Sequence, residues 1–140
     1  MTAERAGHEE TRMLGDVIEL SIVVKDLDAA IEKYGKLFGT TVHKRGESAE
    51  FGFKNAILPL GAGHIEFLQP TDPNKPVGKF LAKKGEGVYL VGFECQDVDG
   101  AVQRIKSQGG RVDGRKDIAW VHPGDAHGVF VELRHRESYT

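Results

Sequence analysis

Apolar and polar residues alternate in short runs along most of this chain, and glycine, proline and aspartate separate the runs. Alternation with a period of two predicts a strand, and apolar residues three and four positions apart predict a helix. The clearest helix starts after Asp26 and stops before Gly39, which are a typical N-cap and C-cap. The pattern predicts strands at residues 16–24, 40–45, 50–60, 64–69, 88–95, 111–112, 118–122 and 129–134, with further helices at 77–84 and 97–108.

The chain contains an imperfect internal repeat, because residues 17–31 return as residues 88–102. Each copy reads as a strand, an Asp-x-Asp turn and the first turns of a helix, and each is followed by three more strand-like runs. The repeat predicts an α+β fold of two tandem βαβββ modules, with mixed sheets curled around a shared cavity. The function is expected at that cavity, where equivalent side chains from the two copies would meet.

The same pattern divides the chain into segments. We predict a flexible N-terminal tail at residues 1–14, a first βαβββ module at 15–70 and a connector with a short helix at 71–86. The second module is predicted at 87–135 and a C-terminal tail at 136–140. Neither module, at roughly 60 residues, is expected to be comfortably stable alone.

Composition excludes several classes of partner. The 140 residues carry a net charge of −2, with no basic stripe that would favour nucleic acid and no polybasic or long apolar segment that would favour a membrane. The single cysteine, Cys95, lies within a predicted strand and is interpreted as a buried thiol. These features predict a cytoplasmic protein.

Three carboxylates lie inside otherwise apolar strands, at Glu19, Glu66 and Glu132. Glu66 and Glu132 occupy equivalent places in the two copies, and the repeat partner of Glu19 is Leu90. Clustered carboxylates bind hard divalent cations or transfer protons, so one interpretation is a shared functional site. The alternative is that each glutamate faces solvent from the surface of a sheet.

Other side chains have two interpretations each. Trp120 either lines the pocket or packs in the core. His64 either reaches inward as a ligand or, as we favour, is exposed at the turn after Gly61-Ala62-Gly63, and His127 is expected to be exposed at a turn.

Several motifs resemble the vicinal-oxygen-chelate (glyoxalase/bleomycin-resistance/dioxygenase) superfamily, and most closely its methylmalonyl-CoA epimerase family. They lie between about residues 16 and 133. The most specific are Val24-Lys25-Asp26-Leu27, Leu58-Pro59-Leu60-Gly61, Ile65-Glu66-Phe67-Leu68-Gln69-Pro70, the stretch 79–87, His122-Pro123 and the run 127–133.

The resemblance implies a divalent metal ion (manganese, cobalt, magnesium or calcium) held by one residue from the first and one from the last strand of each module. Those positions fall on Glu19, Glu66, Leu90 and Glu132. Glu19 and Leu90 stand where the family has histidines, and Leu90 has no ligand atom. The predicted metal ligands are therefore Glu19, Glu66 and Glu132. A set of carboxylates without imidazole favours manganese, magnesium or calcium.

The resemblance also implies an activity. Glu50 aligns with the carboxylate that removes the α-proton of the substrate, and Glu132 is the second predicted catalytic group. Lys79, Lys83 and Lys84 would attract the phosphates of coenzyme A, unless they only form a solvated helix face. The implied enzyme is an epimerase or racemase that acts on a small acyl-CoA, such as methylmalonyl-CoA, through a metal-stabilised enolate.

Two alternatives remain open: a metal-poor small-molecule binding protein of the bleomycin-resistance type, which Leu90 favours, and a glyoxalase-like lyase. Analogy with the family predicts a homodimer.

Overall fold

A computed structural model describes residues 12–136 of the chain. The predicted tails, at residues 1–14 and 136–140, therefore lie almost wholly outside the described residues. The strands are β1 (Val17–Val23), β2 (Lys44–Ser48), β3 (Phe53–Leu60), β4 (Gly63–Pro70), β5 (Gly87–Glu94), β6 (Val112–Arg115), β7 (Ile118–Val121) and β8 (Val131–Arg134). The helices are α1 (Leu27–Phe38), α2 (Pro76–Lys84) and α3 (Val98–Ser107), with a 3-10 turn at Pro123–Asp125.

The element order confirms the α+β fold and the predicted sequence of eight strands and three helices. Several predicted strand boundaries are wrong: β2 ends at Ser48 rather than at residue 45, and β6 ends at Arg115 rather than at residue 112. Strand β2 begins at Lys44 rather than at residue 40, and β3 begins at Phe53 rather than at residue 50. Between them the chain makes a tight turn, in which Gly52 has a φ of 70° and donates its N–H to the Ser48 carbonyl at 2.9 Å. No helix in the described part of the chain is long and apolar enough to cross a membrane.

Helix α1 has both of the caps expected from the sequence. The Asp26 carboxylate accepts the Ala29 N–H at 3.1 Å, which satisfies one of the free donors of the first turn. Gly39 adopts a left-handed conformation with a φ of 70°, and its N–H donates to the Gly35 carbonyl. The helix packs through Leu27 and Tyr34 onto a buried cluster that includes Phe67.

Residues 18–92 form one compact unit. Its strands are ordered β2-β3-β4-β1-β5. Strands β2, β3 and β4 are antiparallel neighbours, whereas β1 and β4 are parallel. The parallel register places Glu19 opposite His64 and Ser21 opposite Glu66. Side chains of directly paired residues point to the same face of a sheet, so this register decides which polar groups meet.

The second compact unit comprises the described residues 12–17 and 93–136. Strands β6, β7 and β8 form an antiparallel meander, and α3 packs through Val98 and Ala101 onto a core that includes Cys95. Cys95 is buried, as expected, and burial raises the pKa of its thiol. The boundary between the two units falls inside β5. The module boundaries inferred from the repeat stay a prediction.

An exposed ion pair in this unit predicts a measurable pH dependence. Arg111 donates three hydrogen bonds to the Asp125 carboxylate, at 2.8, 3.1 and 3.0 Å, and these bonds lower the pKa of Asp125 from 3.8 to about 2. A carboxylate with a lowered folded-state pKa stabilises the fold above its unfolded value, and that stabilisation is lost as the pH falls toward 2. We expect Asp125→Asn to flatten the acid limb of stability between about pH 4 and pH 2, as measured by thermal melts across that range. If the stability of the variant falls as steeply with pH as that of the wild type, the ion pair does not stabilise the fold in this range.

Candidate functional site

Three buried polar side chains form a hydrogen-bonded cluster on β1 and β4. His64 Nε2 lies 2.9 Å from Glu19 Oε1, and the Ser21 hydroxyl donates to Glu19 Oε2 at 3.0 Å. His64 is 9% exposed, Glu19 is 6% exposed and Ser21 is 1% exposed. Both carboxylate oxygens of Glu19 therefore have a hydrogen-bond partner, which is what a buried carboxylate requires.

The close approach of β1 and β4 at this point depends on a glycine. A Cβ added to Gly63 would lie 1.9 Å from the Ile18 carbonyl oxygen and 2.5 Å from its carbon. No side chain fits in that space. The glycine lets the two backbones meet one residue before His64, and so fixes the contact between His64 and Glu19.

Glu66 lies on the same strand as His64 and has a different partner. The Asn55 side-chain amide on β3 donates to Glu66 Oε2 at 2.6 Å. Glu66 is half-buried. Because Ser21 and Glu66 are paired across β1 and β4, the Glu66 carboxylate lies on the same face of the sheet as Glu19.

Leu90 on β5 is 6% exposed, and its side chain offers only carbon atoms at the position where the resemblance implies a histidine. In the described range of residues 12–136, no group of three or more His, Cys, Asp or Glu side chains could hold a metal ion. The donors of this unit therefore do not fit the metal that the resemblance implies. Glu19 is occupied by His64 and Ser21, and Leu90 cannot coordinate. The larger ligand set, in which Glu132 of the second unit joins Glu19 and Glu66, stays a prediction.

Glu132 lies in the second unit and forms its own cluster. The indole N–H of Trp120 donates to Glu132 Oε1 at 2.9 Å, across the register pair of β7 and β8. Arg134 adds two longer contacts to the same carboxylate, at 3.3 and 3.4 Å. Glu132 is 3% exposed, so the indole and the guanidinium provide the donors that its burial requires.

Glu50 lies in the exposed turn between β2 and β3. The backbone on either side of it is well fixed. Phe51 N–H donates to the Ser48 hydroxyl at 3.1 Å, and Thr71 N–H donates to the Gly52 carbonyl at 2.8 Å. The rings of Phe51 and Phe53 stack with their centroids 6.5 Å apart. Glu50 is therefore an exposed residue on a turn whose backbone is held by hydrogen bonds on both sides.

Comparison with known sequences decides the family. Residues 19–135 match the sequence model of the Glyoxalase/Bleomycin resistance protein/Dioxygenase superfamily. The chain belongs to this superfamily. The match covers both copies of the repeat, and it confirms the resemblance that the motifs indicated.

Within the superfamily, this chain is similar to methylmalonyl-CoA epimerases. It is 30% identical over 131 residues to the ethylmalonyl-CoA/methylmalonyl-CoA epimerase of Cereibacter sphaeroides. The matched residues make up 86% of this chain and 98% of that protein. A solved methylmalonyl-CoA epimerase in complex with methylmalonyl-CoA and NH4+ is 34% identical, with a TM-score of 0.81, covering 90% of this chain and 97% of that one. A Streptomyces coelicolor methylmalonyl-CoA epimerase variant in complex with 2-nitronate-propionyl-CoA is also 34% identical, with a TM-score of 0.78 and coverages of 86 and 96%.

The positions that the superfamily resemblance singled out have mixed outcomes. The interpretation that Glu19 and Glu132 face solvent is wrong, since both are buried. The expectation of an exposed His64 is also wrong, because His64 is buried against Glu19. The hydrogen bond between Trp120 and Glu132 is not predicted by the sequence pattern. Antiparallel pairing of β7 with β8 places the two residues opposite each other on one face of the sheet, and that register is the signal that could have found the pair. His127 is exposed at a turn, as expected. The convergence of Glu132 with Glu19 and Glu66 stays a prediction.

Helix α2 carries three exposed lysines, Lys79, Lys83 and Lys84. Their exposure is compatible both with a solvated helix face and with a face that binds phosphate. Lys84 Nζ lies 5.7 Å from the centre of the Phe80 ring, and that ring packs edge-on against Tyr89 with centroids 5.1 Å apart. Burial raises the pKa of Tyr89, so this phenol stays neutral near pH 7.

Proposed function

We propose that this protein is an epimerase or racemase that removes and returns the α-proton of a small acyl-CoA, such as methylmalonyl-CoA. The proposal rests on one observation above the others. Glu50, the residue that aligns with the proton-abstracting carboxylate of the epimerases, lies on a turn whose backbone is fixed by hydrogen bonds on both sides. A general base has to be held within reach of the proton it removes.

Glu50 is the proposed base in this reaction. Its carboxylate takes the proton next to the thioester carbonyl, and the electron pair of the C–H bond moves onto the carbonyl oxygen as an enolate. Return of a proton to the opposite face of the enolate inverts the centre. Glu132 is the proposed second catalytic group, and its contacts with Trp120 and Arg134 would hold its carboxylate in one orientation.

The proposed reaction does not include the metal-stabilised enolate, because Glu19 and Leu90 do not supply the ligands for it. The proposed partner is an acyl-CoA, whose phosphates Lys79 and Lys83 would attract from the exposed face of α2. We further propose a cytoplasmic homodimer, which rests on composition and on analogy with the family.

A second candidate is a metal-poor small-molecule binding protein of the bleomycin-resistance type. Leu90 favours it, because an apolar side chain at a ligand position removes coordination without opening the buried strand to water. The glyoxalase-like lyase is the weaker alternative, because the similarity to a lactoylglutathione lyase of Arabidopsis thaliana, at 29% identity, covers 64% of this chain and 31% of that protein.

Isotope exchange separates the two candidates. Methylmalonyl-CoA is incubated with the purified protein in heavy water, and uptake of deuterium at the α-carbon is followed by mass spectrometry. We expect exchange well above the rate in buffer alone. If exchange stays at the buffer rate while the protein still binds the thioester in equilibrium dialysis, the epimerase proposal is wrong and the binding protein is favoured.

A further inference from the structure

We propose that Glu19 and His64 form a metal-independent pair that takes the place of a metal ligand in this chain. The family position at the first strand is a histidine, whereas here the carboxylate lies at residue 19 and the imidazole lies on the neighbouring strand. The pair joins β1 to β4 through side chains, in addition to the backbone ladder between them. It concerns the same site as the proposed function but does not depend on any reaction.

The strand register and the short distance indicate that the fold itself brings the two side chains together. Glu19 and His64 are directly opposite in the parallel ladder, and Gly63 allows their strands to meet closely at that point. The 2.9 Å distance from Nε2 to Oε1 is that of a good hydrogen bond. An ionised Glu19 carboxylate accepts this hydrogen bond from the His64 tautomer that has its hydrogen on Nε2.

Burial makes each partner dependent on the other. The side chains of His64 and Glu19 are 10 and 7% exposed, so neither could exchange its partner for bulk water. Ser21 completes the carboxylate by donating to its second oxygen. Removal of one partner takes a hydrogen bond from a buried polar group, which is far more costly than loss of a surface pair.

The same contacts make this pair a poor metal site. His64 directs Nε2 at Glu19, so that nitrogen is used inside the pair. Leu90 provides no donor atom, and the structure from residue 12 to residue 136 contains no group of three ligating side chains. Zinc-like transition-metal ions and Ca²⁺ usually take three or more protein ligands.

Metal content tests the claim that the pair is independent of metal. The purified protein is loaded with Mn²⁺ or Co²⁺, freed of excess ion by gel filtration and analysed for metal, and its melting temperature is recorded with either ion and with EDTA. We expect substoichiometric metal and the same melting temperature in all three conditions. Stoichiometric metal together with a melting temperature that EDTA lowers would overturn the proposal.

A positive control restores the two histidines of the family pattern. We expect the Glu19→His, Leu90→His double variant to retain more Co²⁺ than the wild type, and to melt at a higher temperature with Co²⁺ than the same variant does without it. If the double variant binds no more Co²⁺ than the wild type, the residue types at these two positions do not explain the missing affinity, and the proposal fails.

Exchange of the two residues tests the claim that Glu19 and His64 stabilise the fold as a pair. Glu19→His places two imidazoles side by side, and His64→Glu places two carboxylates side by side. We expect each single change to lower the melting temperature by about 10 °C or more, and the exchanged double variant to recover most of that loss. A double variant that melts as low as the worse single variant, or does not fold, would overturn the pair.

The matched control is the exposed pair Glu32–Lys36 on α1, whose side chains are 68 and 72% exposed at an N–O distance of 2.9 Å. Exchange of these two residues should change the melting temperature by no more than about 2 °C. None of these measurements uses a substrate, so failure of the epimerase reaction and failure of the pair give different results.

Discussion

Glu50→Gln is expected to lower the rate of α-proton exchange in methylmalonyl-CoA by about 10²–10⁴-fold, the usual contribution of a positioned general base. The amide keeps the size of the side chain but cannot take a proton. Because Glu50 lies in an exposed turn, outside the buried clusters, the variant should fold and melt as the wild type does. The measurement is deuterium uptake in heavy water at several concentrations of the thioester.

The matched control is Glu47→Gln in β2 of the same hairpin. Glu47 is also exposed, and the change removes the same charge at a distance of three residues along the chain. It should leave the exchange rate unchanged. Equal losses in the two variants would show that charge near the hairpin matters rather than a base at residue 50. An unchanged rate in Glu50→Gln would remove Glu50 from the proposed mechanism.

Gly63→Ala is expected to destabilise the protein by more than about 3 kcal/mol, at the upper end of what overpacking usually costs. The added methyl group would lie 1.9 Å from the Ile18 carbonyl oxygen, so β1 and β4 would have to separate where Glu19 meets His64. The obstacle is backbone rather than a flexible side chain, and it cannot move aside alone. Urea denaturation measures the loss.

Gly61→Ala provides the comparison, two residues earlier, in the turn before β4. A Cβ at residue 61 would meet nothing within 4 Å, and the only penalty is a φ of 43°. The expected cost is about 1 kcal/mol. If Gly63→Ala costs no more than Gly61→Ala, the close approach of the two strands is not what holds the Glu19–His64 contact.

Much of the fold could be predicted from local patterns. Asp26 and Gly39 were recognised as caps because a helix end needs particular side chains and a left-handed residue at fixed places. The repeat gave the order of strands and helices, since each copy has the same periodicity. Buried carboxylates were recognised as unusual from their apolar neighbours alone.

The partners of those carboxylates were less predictable, because they depend on register between strands that are distant in sequence. His64 follows a Gly-Ala-Gly turn, which favoured exposure, yet parallel pairing with β1 buries it against Glu19. Trp120 finds Glu132 in the same way, across an antiparallel pair. The start of β3 was misplaced because Glu50 and Phe51 continue an alternating pattern that the Ser48 hydrogen bonds interrupt.

The central claim is that this member of the superfamily moves an α-proton with side chains that do not form the metal site of its relatives. The most direct test is the rate of deuterium uptake by methylmalonyl-CoA with the wild-type protein, first dialysed against EDTA and then supplied with Mn²⁺ or Co²⁺. We predict a rate above the buffer background that is the same with chelator and with either ion. A rate that disappears with EDTA and returns when a stoichiometric amount of metal is bound would contradict the account.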